Sequence, residues 1–487
     1  MSRRTQFRLL VALTIVWATW AGWSLLGRAT PYELRVLDDL GAPIASAVAD
    51  IEGDQVGTSG SDGRIRMDWN RSSVVLEVSA PGHVAQMLTL AEPPEGVVDV
   101  VLKARVLRGR VVTPDGVAVD DARVMTNPTS GVTDGEGNFN IRGAEPGAIA
   151  VEKQAWLPTT FNWDGGPGEV LVELEPFAAR AVHISGSVVG ERLEEFIALA
   201  RNTELNALMV DLKDDGGRIW YNTANPTALE VGAAQNSYDL NAVATAAHNE
   251  NLYLIGRLVV FSDEIAAWNK PSMAVWDLAT DAPFRVGGQY FLDPTDPEAR
   301  QYGLDLAVEA CSMGVDEIQF DYVRFPDILS ESARYDLVIE EQVRLSTIPA
   351  FLRDAVDLLH PMGCTVGADV FGFLTTDVSD GFIGQRWEDV AQIVDVISPM
   401  VYPSHYEADW FGYEVPNDHP GQVVRRALED GMERLPRNVV VRPWLQDFGY
   451  DSSQVKAQIA SAEEFGLGWM LWNESSEVTT DALRPAE

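Results

Sequence analysis

A carboxylate, Asp321, ends an alternating apolar stretch in the middle of the chain. The residues from Asp316 to Asp327 read Asp-Glu-Ile-Gln-Phe-Asp-Tyr-Val-Arg-Phe-Pro-Asp, in which Ile318 and Phe320 alternate with polar residues. This period of two, followed by a proline, is typical of a β-strand that stops near Asp321. In parallel α/β folds, the side chains at the carboxyl ends of strands gather at the functional face. Asp321 is therefore a candidate for chemistry, unless it only caps the following turn.

A second carboxylate, Asp369, ends the next predicted strand. Hydrolysis of a glycosidic bond needs two carboxyl groups, one to protonate the leaving oxygen and one to attack the anomeric carbon or activate water. Neighbouring strands lie about 4.8 Å apart, close to the roughly 5 Å carboxyl separation of retaining enzymes. We therefore predict Asp321 as nucleophile or charge stabiliser and Asp369 as general acid/base.

The surroundings of the two aspartates predict opposite protonation states. Arg257 and Arg324 are expected to keep Asp321 charged, because a cation within about 4–6 Å favours a carboxylate. Asp369 is followed by the mostly apolar residues 370–373. Such a setting is expected to raise the pKa of Asp369 toward that of a proton donor.

Polar and aromatic side chains also end the other predicted strands, including His183 and Ser185 at the end of the first. Sugars bind through many hydrogen bonds and through flat apolar surfaces, which aromatic rings supply. The predicted substrate-binding residues are Asp211, Lys213, Arg257, Tyr322, Arg324, Tyr402, His405, Trp444, Gln446, Asp447, Trp472 and Asn473. Together with the two aspartates they predict a mouth that binds a polysaccharide or oligosaccharide.

Short apolar strands alternate with amphipathic helical segments from residue 179 to residue 487. The predicted strands are 181–185, 207–211, 252–258, 317–321, 365–369, 394–400, 438–442 and 467–471. The predicted helices include 191–200, 240–249, 297–313, 339–359, 422–434 and 454–464. Alternation of this kind indicates parallel strands joined by right-handed crossovers. We predict a closed (β/α)8 TIM-type barrel, since such barrels use about 250 residues or more for their eight units.

Two predicted connections are longer than the rest, 261–296 after the third strand and 325–336 after the fourth. Long loops after barrel strands lie at the functional face, where aromatic rings can stack on sugars. The first loop contains Trp268, Trp276, Phe284, Tyr290 and Phe291. These rings either contact a substrate or pack on one another to close the loop.

Motifs at the strand ends carry a family resemblance. They are Met209-Val-Asp-Leu-Lys-Asp-Asp-Gly-Gly, Gly256-Arg-Leu-Val-Val-Phe, Ile318-Gln-Phe-Asp-Tyr-Val-Arg-Phe-Pro, Gly367-Ala-Asp-Val-Phe-Gly, Ile397-Ser-Pro-Met-Val-Tyr-Pro-Ser-His-Tyr and Gly468-Trp-Met-Leu-Trp-Asn. With them, residues 180–475 resemble a glycoside hydrolase barrel family near the alpha-amylase-like clan. The resemblance implies a TIM-type fold, a polysaccharide substrate and Asp321 at the position of the fourth-strand nucleophile. The fifth-strand acid of alpha-amylase-like enzymes is a glutamate, whereas this chain has Asp369.

Residues 30–178 consist of short alternating strands separated by glycine, proline and aspartate, and the pattern occurs twice. The turn Ser61-Asp-Gly-Arg-Ile is echoed by Asp134-Gly-Glu-Gly-Asn-Phe. Both copies resemble the carboxypeptidase regulatory-like β-sandwich, and we predict one domain over residues 30–103 and another over 104–178. They are interpreted as a spacer or sugar-binding module, or as a stalk that lifts the barrel from a membrane.

The first 29 residues predict export. Arg3, Arg4 and Arg8 precede an apolar run from Leu9 to Leu26. A basic start followed by an apolar segment of this length indicates a signal peptide or a membrane anchor over residues 1–29. We expect the remaining chain to be extracytoplasmic, in the periplasm, in the cell envelope or secreted, and to contact the membrane through this segment if it is retained.

Composition excludes several classes of partner. The chain of 487 residues has 73 acidic and 36 basic residues and a net charge of −37. Such a surface repels phosphates, which argues against nucleic-acid binding and favours a neutral or weakly polar ligand. No cofactor or metal is predicted, because the sequence has no glycine-rich phosphate loop and no paired-histidine ligand spacing. Cys311 and Cys364 show no metal or disulfide framework and are expected to be buried thiols.

The leading hypothesis is an exported glycoside hydrolase that cleaves a polysaccharide through Asp321 and Asp369. The alternatives are a non-catalytic carbohydrate-binding barrel, in which the two carboxyl groups are wrongly placed, and a cell-envelope scaffold. Polar residues at so many strand ends speak against a purely structural barrel. The sugar, the linkage and the stereochemical outcome do not follow from the sequence.

Overall fold

The computed structural model describes residues 30–69, 72–328, 330–435 and 438–486. The signal peptide or membrane anchor predicted for residues 1–29 lies outside these ranges. Among the helices within them, none has both the length and the apolar character needed to cross a membrane. The chain forms two compact units, which are described separately. The first comprises the residues up to Lys153 together with Pro158–Glu175, and the second comprises Gln154–Leu157 and the chain from Pro176 on.

The first unit consists of two sets of strands that pair in the same way. The first set is Thr30–Asp38, Val48–Ile51, Asp54–Thr58, Arg64–Trp69, Val74–Ser79, Gln86–Leu90 and Val97–Leu102. The second set is Val106–Val112, Arg123–Met125, Ser130–Val132, Asn138–Arg142, Gly147–Glu152, Thr159–Trp163 and Glu169–Glu173. In each set the first strand lies between an antiparallel neighbour and a parallel last strand, and the other strands form a second, four-stranded sheet. The N-terminal region is β-rich as expected, whereas its domain borders and its family resemblance stay predictions.

The echoed turns of the two sets need glycine for the same reason. Gly63 and Gly137 have φ values of +74° and +77°, which residues other than glycine rarely adopt. A Cβ atom would lie 2.5 Å from the carbonyl oxygen of Val36 in the first set and 2.5 Å from that of Val111 in the second. The turns therefore pack directly against the first strand of each set.

The second unit is a closed barrel of parallel strands, as predicted. We number its strands β1 Arg180–Ile184, β2 Ala207–Lys213, β3 Tyr253–Val259, β4 Glu317–Asp321, β5 Thr365–Phe371, β6 Val396–Val401, β7 Trp444–Gln446 and β8 Trp469–Trp472. Each strand pairs in parallel with the next, and β8 pairs with β1 to close the ring. The strand predicted over residues 438–442 is displaced, because the chain contains only a short piece, Val440–Val441, before Pro443, which lacks an N–H for the ladder.

The crossovers between the strands are largely helical. The helices of the unit are Gly186–Asn202, Pro226–Val231, Leu240–Asn249, Glu264–Asn269, Pro297–Ser312, Glu341–Leu359, Trp387–Ala391, Pro420–Glu433 and Ser452–Glu463. The bounds of Leu240–Asn249 are those predicted, whereas the first helix begins at Gly186 rather than at residue 191. Short strands Ile219–Tyr221 and Ala234–Tyr238 extend the sheet beside β2 and were not predicted.

The barrel interior is polar at both ends and apolar between them. At the start of β4, Glu317 accepts a 2.7 Å hydrogen bond from Arg442, and both side chains are fully buried. Met209, Ile255 and Met470 belong to the apolar cluster inside the barrel. Because a parallel barrel brings all strand ends to one rim, the residues that end β2 to β5 meet above this cluster.

Cys311 and Cys364 form a disulfide, so the prediction of two buried thiols is wrong. Cys311 lies in the helix Pro297–Ser312, and Cys364 immediately precedes β5. Their Cα atoms are 6.1 Å apart although 53 positions separate them in the sequence. The pairing depends on tertiary packing that brings the end of this helix to the residue before β5, which the cysteine spacing does not encode.

Candidate active site

Asp321 and Asp369 lie side by side at the carboxyl ends of neighbouring strands. The register of β4 and β5 pairs Glu317 with Thr365 and continues in step to Phe320 and Ala368. The next position on each strand is the predicted catalytic aspartate. Both side chains are nearly buried, with exposed fractions of 5% for Asp321 and 1% for Asp369.

Asp321 is held by three hydrogen-bond donors. Its Oδ2 accepts hydrogen bonds from Nε and Nη2 of Arg257, at 2.9 and 2.5 Å. Its Oδ1 accepts a 2.6 Å hydrogen bond from the backbone N–H of Tyr322. Tyr322 has a φ of +47°, which a non-glycine residue adopts only when its surroundings enforce it. These contacts fix the orientation of Asp321 and bring the guanidinium of Arg257 within hydrogen-bond distance of its carboxyl group.

A second carboxylate, Asp211, binds the other side of Arg257. Nη1 of Arg257 donates a 2.8 Å hydrogen bond to Oδ1 of Asp211, and Nε2 of His183 lies 3.0 Å from the same oxygen. Burial acts to raise the pKa of Asp211, but the charges of His183 and Arg257 outweigh it and lower the pKa to about 2. Trp472 covers this group, with its ring 4.1 Å from that of His183 and 4.8 Å from the guanidinium carbon of Arg257.

The pKa of Asp369 is shifted in the direction expected of an acid, and its side chain is fully buried. Its Oδ1 accepts hydrogen bonds from Nε2 of Gln319 at 2.8 Å and from Nε1 of Trp444 at 2.6 Å. Its Oδ2 is buried and has no hydrogen-bond partner among the described residues. Burial, and then the negative charge of Asp321, raise the pKa of Asp369 well above its ordinary value. The raised pKa was predicted from the apolar residues 370–373, whereas complete burial beside another carboxylate is its cause.

Replacing Asp369 by asparagine is expected to stabilise the protein at neutral pH. An unfolded aspartate has a pKa of about 3.9, and folding raises it. From about pH 4 up to the folded pKa, the folded state retains a proton that the unfolded state has lost, so stability falls as pH rises. Asparagine never ionises and keeps an acceptor for Gln319 and Trp444. Urea unfolding at pH 7 should give a higher midpoint for Asp369→Asn than for wild type, and the difference should vanish toward pH 4. An identical pH dependence of the two proteins would contradict the buried, neutral carboxyl.

A cavity of about 580 Å³ opens above Asp321. Eight of the predicted site residues line it: Arg257, Asp321, Tyr322, Arg324, Tyr402, His405, Trp444 and Trp472. The sequence prediction missed the remaining lining residues, which are Phe371, Gly372, Phe373, Met400, Tyr406, Glu407 and Trp410. Phe371 and Phe373 continue the period of two set by Asp369, so extending the predicted strand would have found them. Tyr406, Glu407 and Trp410 lie in the loop after β6, where no periodic signal exists.

The family of the chain follows from its barrel. Residues 181–478 match the sequence profile of a family described as "Putative glycosyl hydrolase domain". The chain belongs to this family. The membership confirms the glycoside hydrolase part of the resemblance noted from the sequence, whereas the relation to the alpha-amylase-like clan stays a prediction.

Solved structures are also similar to the chain. A hypothetical protein from Ruminiclostridium thermocellum ATCC 27405 is 34% identical over 39% of this chain and 97% of its own, with a TM-score of 0.35. The PgaB (BpsB) glycoside hydrolase domain from Bordetella bronchiseptica is 12% identical over 64% of this chain and 100% of its own, with a TM-score of 0.48. The glycoside hydrolase domain of PelA from Pseudomonas aeruginosa is 10% identical over 62% of this chain and 96% of its own, with a TM-score of 0.38. No curated protein matches the sequence.

Five predicted substrate-binding residues do not line the cavity of this glycosyl hydrolase domain. Asp211 lies behind Arg257, as described above. The other four are Lys213, Gln446, Asp447 and Asn473, and they hold loops of the barrel in place. Lys213 pairs with Asp263 at 3.0 Å, and Gln446 accepts a 3.1 Å hydrogen bond from the N–H of Ser404.

The last two of these residues anchor the chain after β8. Oδ2 of Asp447 accepts a 3.0 Å hydrogen bond from the N–H of Thr479, and Nδ2 of Asn473 donates one of 2.6 Å to the carbonyl of Asp447. Strand ends therefore supply both cavity residues and loop anchors, and residue type alone does not separate them.

Most aromatic rings of the long loop after β3 pack on the loop itself. Phe284 and Phe291 form a small buried cluster with Val275. Trp268 stays half-exposed and contacts Tyr290 edge to face at 5.8 Å. None of these rings lines the cavity beside Asp321 in the described part of the chain. The structure places them as the closing core of the loop rather than as a sugar platform.

The described part of this domain contains no candidate metal site. Within the residues that the structure describes, no group of three or more His, Cys, Asp or Glu side chains is placed to hold a metal ion.

Proposed function

We propose that the barrel is an exported glycoside hydrolase that cleaves a polysaccharide, with Asp321 at the reacting centre. One observation carries the proposal: Asp321 lines the cavity while two nitrogens of Arg257 bind one of its oxygens. A carboxylate that is held at a cavity wall by a guanidinium is what an oxocarbenium-like transition state needs. Asp321 acts in this proposal as the nucleophile or as the group that stabilises that cation.

Aromatic rings around the cavity support a sugar ligand. Tyr402 follows β6, Trp444 begins β7 and Trp472 ends β8, and Phe371 and Tyr406 complete the wall. Sugar rings present apolar faces of C–H groups that stack on such surfaces, and hydroxyl groups that bond at the edges. A wall of this kind binds a pyranose unit and orients it above Asp321.

Asp369 is the proposed general acid/base. Burial and the charge of Asp321 raise its pKa, which favours the protonated form that donates a proton to a leaving oxygen. Its Oδ1 accepts hydrogen bonds from Gln319 and Trp444, its Oδ2 has no partner among the described residues, and Asp369 does not line the cavity. Donation therefore requires the carboxyl to leave Trp444 and turn toward Asp321 when substrate binds. Glu407 is the competing acid, because it lines the cavity and is exposed.

Substrates whose leaving groups differ in their need for a proton show whether Asp369 or Glu407 is the general acid. We expect Asp369→Asn to lose about 10²- to 10⁴-fold of its turnover on an unactivated glycan, because the leaving oxygen is no longer protonated. Measured as kcat/KM, which reports the step in which the leaving group departs, the loss should nearly disappear on the dinitrophenyl glycoside of the same sugar, whose leaving group departs without a proton. Glu407→Gln is the matched control and should behave like wild type on both. The reverse pattern would move the acid role to Glu407.

One observation favours a second candidate function, a non-catalytic carbohydrate-binding barrel. Asp369 is 1% exposed and lies outside the cavity wall, so the second carboxyl group is not yet in reach of a substrate. A panel of polysaccharides and aryl glycosides tests the two functions together. Release of reducing ends by wild type supports the hydrolase, whereas glycan binding without cleavage of any member supports the binding barrel.

The export part of the proposal rests on two features. The disulfide between Cys311 and Cys364 fits an oxidising compartment outside the cytoplasm. The basic and apolar pattern of the first 29 residues fits a signal peptide or anchor. Fractionation of cells that express the full chain tests this part, and a protein confined to the cytoplasm would contradict it.

A further inference from the structure

Arg324 differs from the other buried arginines of the barrel. The buried arginines of the described chain are Arg257, Arg324, Arg344 and Arg442. Three of them bind carboxylates: Arg257 binds Asp211 and Asp321, Arg344 binds Asp380 at 2.8 Å, and Arg442 binds Glu317 at 2.7 Å. Arg324 is 6% exposed and forms no ion pair within the described ranges. A buried cation without an anion is costly and calls for a function.

Aromatic rings hold the Arg324 guanidinium in place without neutralising it. Its central carbon lies 4.7 Å from the ring centre of Phe371, 4.9 Å from that of Tyr322 and 5.3 Å from that of Phe291. Cation–π contacts of this kind attract the cation but leave its N–H groups free. Burial lowers the pKa of Arg324, which reflects the cost of keeping the charge there.

Most donors of Arg324 remain available beside the cavity. Nη1 donates a 3.0 Å hydrogen bond to the carbonyl of Phe325, and the guanidinium makes no other hydrogen bond to the described residues. None of its nitrogens is among the fully buried, unbonded polar atoms. Arg324 lines the same cavity as Asp321. Its free donors therefore face space that a ligand can enter.

We propose that Arg324 binds a carboxylate of the substrate, so that the glycan is an acidic one with a uronic acid or another carboxylate-bearing sugar next to the cleaved bond. The planar fork of a guanidinium matches a carboxylate with two parallel hydrogen bonds. Asp321 does not compete for Arg324, because Arg257 already binds it. The substrate class rests on the proposed hydrolase function, since it concerns the same cavity.

This inference revises the neutral ligand expected from the net charge of −37. Charges on a protein surface are screened beyond about 8 Å at physiological salt. The surface charge therefore slows the approach of an anionic chain but does not decide what binds inside the cavity. Of the two arginines that line the cavity in the described chain, Arg257 is bound by carboxylates and Arg324 is not.

Matched acidic and neutral oligosaccharides test the proposal with the full chain. The probes are oligomers of galacturonate, mannuronate and hyaluronan, each paired with its carboxyl-reduced form, and calorimetry measures binding. We expect wild type to bind at least one acidic oligomer about ten- to hundredfold more tightly than its reduced partner. Arg324→Gln should abolish that difference, and Arg324→Lys should retain part of it. Thermal melts establish that both variants are folded.

Arg285→Gln provides the control, because Arg285 is also stacked on a ring, Tyr290 at 5.5 Å, but is exposed and does not line the cavity. It should discriminate between acidic and reduced oligomers as wild type does. The substrate class is overturned if wild type binds acidic and reduced forms equally, binds none of the oligomers, or prefers sulfated glycans without uronate. It is also overturned if Arg324→Gln is folded and discriminates as wild type does. Failure of the hydrolase proposal gives a different result: wild type still binds acidic oligomers more tightly than their reduced forms but cleaves none of them.

Discussion

We expect the Asp321→Asn variant to lose at least about 10³-fold of its turnover while its affinity for the glycan stays within about tenfold. A loss of this size corresponds to about 4 kcal/mol of transition-state stabilisation. Asparagine keeps the size of the side chain and an oxygen that accepts hydrogen bonds from Arg257. It can neither attack an anomeric carbon nor offset a developing positive charge. Ground-state contacts with the aromatic wall remain, so binding changes little.

Asp211→Asn is the matched control for this experiment. Asp211 binds the same arginine at 2.8 Å but lies outside the cavity. Its replacement disturbs Arg257 in a similar way and leaves Asp321 charged, so its effect on turnover should be far smaller. Initial rates and calorimetric binding on the glycan that wild type cleaves provide the comparison. Equal turnover of Asp321→Asn and wild type would remove Asp321 from the reacting centre.

The barrel could be predicted from the sequence because its strands and helices repeat with clear periods. Strand β4 and the helix Leu240–Asn249 have the bounds that periodicity gave. Prediction failed where a proline or the pairing of distant segments, rather than a periodic pattern, determines the strand. Pro443 interrupts the seventh strand, and the additional strands Ile219–Tyr221 and Ala234–Tyr238 depend on pairing beyond β2 rather than on an apolar period. The cysteine pairing likewise depends on packing between distant segments.

The candidate site could be predicted in outline but not in depth. A period of two assigns a residue to the inner face of a strand, and Asp321, Arg257 and Trp444, which it assigned there, line one cavity. It does not say how far each side chain lies below that rim, since barrel shear and hydrogen-bond partners set this. Asp369, for example, is buried, and its Oδ1 accepts a hydrogen bond from Trp444. Arg324 is stacked among aromatic rings and forms no ion pair with Asp321.

The largest expected effect on stability comes from Arg257, which lies between Asp211 and Asp321. Its nitrogens contact Asp211 at 2.8 Å and Asp321 at 2.5 Å, and all three side chains are buried. Arg257→Met keeps much of the side-chain volume and leaves two buried carboxylates without their cation. Breaking a buried ion pair in this way typically costs about 3–5 kcal/mol. We expect a loss of at least this size in the free energy of unfolding at pH 7, measured by urea denaturation.

The pH dependence of this loss identifies its cause. In wild type the pKa of Asp211 is lowered to about 2, so its contribution to stability is present above the unfolded pKa of about 3.9 and is lost as pH falls toward 2. Without Arg257 the buried Asp211 carboxylate loses a cation that lowers its pKa, so the pKa of Asp211 should rise. The free energy of unfolding of the variant should then increase as pH falls from 7 toward 4. In wild type, Asp211 makes no such contribution over this range. Arg257→Lys keeps the charge and should lose less at pH 7. An Arg257→Met protein whose deficit is the same at pH 4 and pH 7 would indicate lost packing rather than unpaired charge.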